Sequence, residues 1–342
     1  MRAAEESQVP KHLGKASLIF LLASIGLVLS LGWSVALGAA DIRLSTVWEA
    51  VVNFNPEEAS HQVIQELRLP RAIGAALVGS FLAVSGAVMQ GLTRNPLASP
   101  SIMGVTHGAA FALIVALVFF PSLSLSGMTF ASFIGAGLAV VLVFAVGSFS
   151  SGGLTPVKLA LAGVAIGGML SSIATAISMH FQVAKQMSFW YAGGLANTDW
   201  TSVKILLAAG AVGLVLAIAI SKSMTVLSLG EDTSKGLGQN TFLIKVLGVV
   251  VVFVLAGAAV SIAGTVGFVG LVIPHITRFL VGADYRLIIP ISAILGGGLL
   301  VLADTAARLV NAPFETPVGA ITAFIGVPFF LYLARGGERS GV

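Results

Sequence analysis

The sequence predicts an all-α integral membrane protein, with about ten transmembrane helices and an inverted internal repeat. Three observations predict it. Of 342 residues, 57% are hydrophobic and only 9% are charged, and the mean hydropathy is +1.01. A soluble domain carries about 25% charged residues. The apolar residues gather into ten runs near the ~20 residues that cross a bilayer. These are 16–38, 67–91, 101–120, 128–148, 158–180, 201–221, 242–263, 265–281, 287–308 and 318–335. Lastly, Gly79, Gly86, Pro96 and Gly104 meet Gly257, Gly264, Pro274 and Gly282 at one offset of 178 residues. Glycine and proline stand where backbone geometry is special, so four matches in one register suggest a duplication.

Residues 1–15 are polar and charged (Arg2, Glu5, Glu6, Lys11, Lys15) and read as a tail. The run 16–38 is too long for a signal-peptide core and is expected to remain as the first span. In segment 39–66, Ser45 could cap a short amphipathic surface helix that ends near Phe54. The second span opens on Arg68-Leu69-Pro70-Arg71 and closes on the turn Arg94-Asn95-Pro96-Leu97-Ala98-Ser99-Pro100. Segment 181–200 reads as a loop. Segment 222–241 holds a short polar helix, with Glu231 and Asp232 in its favourable first turn and Gly238 as its stop. The eighth span is short and holds Pro274 and His275, so it is either broken or only partly embedded. Non-helical backbone at membrane depth is tolerated only where protein or a wet cavity covers it.

Ten spans put both termini on one side. Twelve of the eighteen Lys and Arg fall on that side, and the positive-inside bias makes it the cytoplasm. The tail 1–15 and the 222–241 loop are then cytoplasmic, and 39–66 and 181–200 lie outside. Span two runs inward and its counterpart, span seven, runs outward, so the halves are inverted. No soluble domain interrupts 1–342, which reads as one transmembrane domain of the cell membrane.

The residue inventory excludes several chemistries. There is no cysteine, hence no disulfide, thiolate metal site or cysteine nucleophile. No zinc-protease, nucleophile-elbow or Walker-type motif is present, so no catalytic residue is expected and ATP cannot be hydrolysed through a Walker loop. His107, His180 and His275 have no second ligand at useful spacing, so neither a metal site nor a cofactor is expected. The net charge of +4 does not imply nucleic acid, because the basic residues are scattered over loops. Asp304 is the one acid inside a predicted span. It stands four residues before Arg308, where the two can pair; the alternative is a proton relay. Arg68 and Arg71 either reach lipid phosphates or dock a protein. Asn95 is a turn former, or a narrow point on a pathway.

The ordered motifs resemble one family. They are Arg68-Leu69-Pro70-Arg71; Leu77-Val78-Gly79 through Ser85-Gly86 to Gln90; Arg94-Asn95-Pro96-Leu97-Ala98; and Leu161-Ala162-Gly163. Further on come Leu229-Gly230-Glu231 with Leu237-Gly238, Gly267-Phe268-Val269-Gly270-Leu271-Val272-Ile273-Pro274-His275 with Arg278, and Leu302-Ala303-Asp304 with Ala307-Arg308. Glu315-Thr316-Pro317-Val318-Gly319 and Gly326-Val327-Pro328-Phe329-Phe330 close the series. The chain resembles the permease subunits of ABC importers for iron–siderophore complexes, haem and cobalamin. The resemblance implies a pair of permease subunits, identical or paralogous, with two ATP-binding subunits below and a substrate-binding protein outside. It implies docking of that protein by Arg68, Arg71 and Arg308. It also implies a coupling helix over Ser228, Leu229, Gly230, Glu231, Leu237 and Gly238, and an inner gate of Asn95 and Leu97 with Thr155 and Pro156. A ferric siderophore is the expected cargo, with haem or cobalamin as alternatives. An ion-coupled secondary transporter also favours inverted repeats. It would be expected to bury coupling-ion carboxylates near the midplane, and no such carboxylate is seen.

Overall fold

The computed structural model describes residues 8–38, 42–149, 155–312 and 314–337. Regular structure among these residues is helical. The chain runs α1 (Gln8–Ala36), α2 (Leu44–Val52), α3 (Ala59–Val63), α4 (Leu69–Thr93), α5 (Val105–Phe119), α6 (Leu125–Phe149) and α7 (Pro156–His180). It continues with α8 (Ala184–Ala192), α9 (Trp200–Ser228), α10 (Glu231–Gly236), α11 (Thr241–Ala263), α12 (Val269–Val281), α13 (Tyr285–Leu309) and α14 (Val318–Gly337). Each of the ten expected spans finds a helix. Seven helices are long and apolar enough to cross a membrane, and α5, α12 and α14 add shorter apolar ones. Arg2, Glu5 and Glu6 of the expected tail, and Arg339, lie outside the described residues.

The element order repeats. Helices α4–α7 have 25, 15, 25 and 25 residues, and α11–α14 have 23, 13, 25 and 20. The packing repeats with them. Helices α4 and α11 meet at the centre; α4 packs on α13 as α11 packs on α6, and α4 on α12 as α11 on α5. The residue register differs from the expected one. Gly86 is inside α4 while Gly264 lies past the end of α11, and Pro96 is in a turn while Pro274 is inside α12. The starts of α5, α6 and α7 precede those of α12, α13 and α14 by 164, 160 and 162 residues. The counterpart of Gly104 is therefore Phe268. Both are left-handed, at φ 73° and 67°, and each opens the short helix of its half. Connections of unequal length shift the register, and forty glycines supply coincidences.

Helix α4 is the axis of the bundle, with most of its residues buried. Two glycine contacts hold it. A methyl group on Gly79 would strike the Gly296 carbonyl of α13, and one on Gly86 would strike Gly270 of α12. Backbones meet there without a side-chain layer between them, a small-residue packing suited to apolar surroundings.

Four boundaries differ from the sequence reading. The second membrane helix begins at Ala59 rather than 67, because α3 passes through a π-helical turn, Ile64–Arg68, into α4. Pro70 lacks an N–H and its ring crowds the carbonyl four residues back. The ladder widens there, and Leu69 N donates to Ile64 O, five residues back. The surface helix α2 exists, but Arg43 rather than Ser45 is its N-cap, with no side-chain cap bond. Segment 181–200 contains α8. Helix α9 runs on to Ser228, so the segment expected as a coupling helix is the end of one helix, an elbow at Gly230 and the short α10.

Candidate functional site

Helix α4 is about 37 Å long, and it joins two charged clusters, one at each end of the bundle. At the Arg71 end, the π turn, α4 and α13 bring three arginines and Asp304 together. Arg71 Nε and Nη2 grip the Asp304 carboxylate at 2.9–3.2 Å, and Nη1 donates to Glu315 at 2.6 Å. Arg308 Nε lies 3.3 Å from the same Asp304, so the pairing expected from their four-residue spacing is present. The other arginine atoms turn to α1. Arg68 Nη1 donates to Val35 O and Ala36 O, both at 2.8 Å, and Arg308 donates to Ser34 O, Ser34 Oγ and Leu37 O. The last carbonyls of a helix have no intrahelical donor and carry partial negative charge. Two guanidiniums therefore close the C-terminus of α1. The Asp304 side chain is 1% exposed and those of Arg71 and Arg308 are 13% and 11%, whereas that of Glu315 is 47% exposed. Glu315 is thus the open edge of the cluster, and the sequence reading assigned it no charge role.

A cavity of about 600 Å³ adjoins this cluster. Arg71, Asp304 and Glu315 line it together with Leu113, Leu117, Phe189 and Trp190.

At the other end lies the elbow. Gly230 has φ 133°, ψ 150°, a region open essentially to glycine alone. Space is not what demands glycine there, because an added Cβ would meet only Thr233 Oγ1 at 3.6 Å and Arg94 Nη1 at 3.9 Å. Glu231 binds Lys245 of α11 at 2.7 Å and Lys235 at 3.1 Å. The Lys245 hydrogen bond, with help from Lys235, holds the Glu231 carboxyl below its ordinary range, against a partial burial that would raise it. Leu229 and Leu237 flank α10 and are 68% and 66% exposed. Ser234 faces inward and donates to Gln239. Gly238 is left-handed, at φ 78°, two residues after the last residue of α10.

The structure brings the turn that follows α4 to this elbow. Arg94 is left-handed at φ 51°, Arg94 N donates to Gly91 O and Asn95 N to Gln90 O, the pattern of a Schellman cap. Asn95 Oδ1 then accepts from Leu97 N, an Asx turn, and both side chains are exposed. The Arg94 side chain reaches the elbow at Gly230. Thr155 accepts from Lys158 N and caps α7, which opens at Pro156. Helix α7 meets the α4–α5 connection through Gly163, which packs on the Ile102 carbonyl.

In the last turn of α4 stands Gln90, 2% exposed. Pro274 leaves the Gly270 carbonyl without a helical donor. Gln90 Nε2 stands 3.4 Å from that oxygen and 3.3 Å from Leu271 O, tying α4 to the broken start of α12. The two breaks, one in each half, share a cavity of about 220 Å³ lined by Ser99, Pro100, His107, Thr265 and Phe268.

Ten apolar helices, two inverted halves and an exposed elbow at one end define a multi-pass membrane permease. The chain belongs to the FecCD transport family, which matches residues 25–336. It is 60% identical over 340 residues, 99% of this chain and 88% of the relative, to the Iron(3+)-hydroxamate import system permease protein FhuB of Bacillus subtilis (strain 168). It is 46% identical to the Iron-uptake system permease protein FeuB of the same organism, over 95% of this chain and 98% of the relative. Its fold matches a solved structure described as an inward-facing conformation of a metal-chelate type ABC transporter. The TM-score is 0.83 and the identity 30%, with 94% of this chain and 99% of that one covered.

Proposed function

We propose that this chain is the translocation subunit of a bacterial importer for ferric hydroxamate siderophores. The observation that carries the cargo is the 60% identity, over nearly the whole chain, to a permease named for Fe(3+)-hydroxamate import. The reading has two permease subunits around a central path, identical or paralogous, with two ATP-binding subunits on the cytoplasmic side and a binding protein on the other. Leu229 and Leu237 are apolar, exposed and held at the ends of α10, as anchors for a groove on an ATP-binding subunit would be. The Arg94–Gly230 approach gives the elbow a route to the Asn95–Leu97 turn, which is where the inner gate is assigned. The Arg71 end, with Arg68 and Arg308 behind it, is assigned to binding-protein docking.

Two experiments test this reading. Cells lacking their own hydroxamate uptake and supplied with this chain and its partner subunits should accumulate a radiolabelled ferric hydroxamate. Uptake of labelled cobalamin in its place would overturn the cargo. The Glu231 end is assigned to the cytoplasm. A cysteine at the exposed Thr233, in a chain that has none of its own, should resist an impermeant thiol reagent in intact cells. Labelling there would reverse the orientation.

A further inference from the structure

Helix α2 leaves an apolar face uncovered. Successive residues turn about 100° around a helix axis, which divides its nine residues into three faces. Val47 and Ala50 point into the bundle and pack with Val35, Ile64 and Ala72. Ser45, Thr46 and Glu49 make a polar face. Leu44, Trp48, Val51 and Val52 share one arc of roughly 100°, and they are 61%, 70%, 50% and 64% exposed. A helix packed on a protein in water needs two faces. A third, apolar and exposed, has no place in water.

We propose that α2 is an interfacial anchor that lays this arc into the headgroup–acyl boundary of the phospholipid bilayer. Continuity decides the occupant. Helix α1 presents Leu22, Ile25, Val28, Leu29 and Trp33 outward along a membrane-length helix, so that surface meets lipid. Ile42 N donates to Ala36 O, and α2 packs back on the last turn of α1 through Val35. Trp33, 62% exposed, lies one turn before the end of α1, and Trp48 stands on the helix that packs on that end. Tryptophan collects at that depth, with its ring apolar and its N–H wet. The depth is bounded from both sides. Nine residues span about 14 Å, too short to cross the bilayer, and the first turn has no side-chain cap and needs water for its free N–H groups. Exposed Arg43, beside Leu44, is placed to reach lipid phosphates.

The absence of native cysteine makes the test direct. Single cysteines are placed at Trp48, at Val52 and at Glu49, labelled with an environment-sensitive NBD fluorophore, and the full chain is reconstituted in nanodiscs of phosphatidylethanolamine and phosphatidylglycerol. Labels at 48 and 52 should emit at shorter wavelength than the label at 49 and resist iodide. A lipid nitroxide near the headgroup should quench them more than one near the acyl-chain end. The label at 49 should be quenched by iodide. Labels at 48 and 52 that iodide reaches as readily as 49 would overturn the proposal and leave the arc to a soluble protein. Labels shielded equally in detergent micelles and in nanodiscs, and unquenched by lipid nitroxide, would overturn it in favour of a second copy of the chain. Position 52 covers the case in which loss of Trp48 disturbs the helix.

Discussion

At the Arg71 end, Arg68, Arg71, Arg308 and Asp304 are drawn below the surface and fastened to one another and to α1. At the Glu231 end, Lys245 is 13% exposed but its partners are shallower, Glu231 at 29% and Lys235 at 58%, and two leucines stand out beyond them. One end is built to hold α1, α4 and α13 in fixed relation. The other presents a small knob on a glycine elbow. Charges that hold a fold together must be buried and mutually satisfied, whereas a surface that meets a partner must stay open. The difference teaches which residues at each end can be altered without unfolding the molecule.

The largest expected effect is at Asp304. Its replacement by alanine leaves Arg71 and Arg308 buried beside one another, with Glu315 as their nearest carboxylate. Breaking a buried pair from one side costs about 3–5 kcal/mol. Asp304→Ala should therefore lower the unfolding midpoint of the purified permease sharply. A loss of only ~0.5 kcal/mol, the surface norm, would make the two ends alike and break the contrast.

Leu229→Ser with Leu237→Ser should show the reverse pattern. Both side chains are open to solvent, so stability of the permease should move by less than ~0.5 kcal/mol. Association with the ATP-binding subunits should weaken by at least ~2 kcal/mol, about 30-fold, if these are interface hot spots. Unchanged co-purification of those subunits would remove the coupling role. This pair isolates the contact better than Gly230→Leu, which would also force a side chain into a backbone region reserved for glycine.

The smallest effect concerns docking. Charge reversal at Arg71 would also strip Asp304 of its main partner, so Glu315→Gln is the sharper probe. It frees Arg71 Nη1 at the exposed edge. Rim charges are worth about 0.2–1 kcal/mol and act mainly on encounter. Association of the binding protein should quicken at low salt, with the gain vanishing at high salt. A slower association at low salt would place the docking charge elsewhere.

The spans were legible because hydropathy alone marks them. Their ends were not. The run Glu58 to Glu66 has only Ala59, Val63 and Ile64 as apolar residues, too few to carry a span signal over Ala59–Val63 and the π turn. Helix α8 hides for the same reason, since Lys185, Gln186 and Ser188 interrupt its apolar residues. Asp304 with Arg308 was readable from spacing on one helix. Arg71 with Asp304 was not, because 233 residues separate them. The arginine caps on α1 depend on where that helix ends in space. Glycine density misled the repeat: it returns as an order of helices and contacts, not as a residue offset. The backbone of Gly230 was not legible either, because no neighbouring residue announces φ 133°, ψ 150°.

The bare contacts of Gly79 with Gly296 and of Gly86 with Gly270 have a mechanical consequence. Two helices whose main chains touch have no side chains to re-rotate between them, so they cannot slide in small steps. Helices α4, α12 and α13 then behave as a stator, a frame that shifts as one piece or not at all. The moving parts of a transport cycle must be sought among helices joined through side chains.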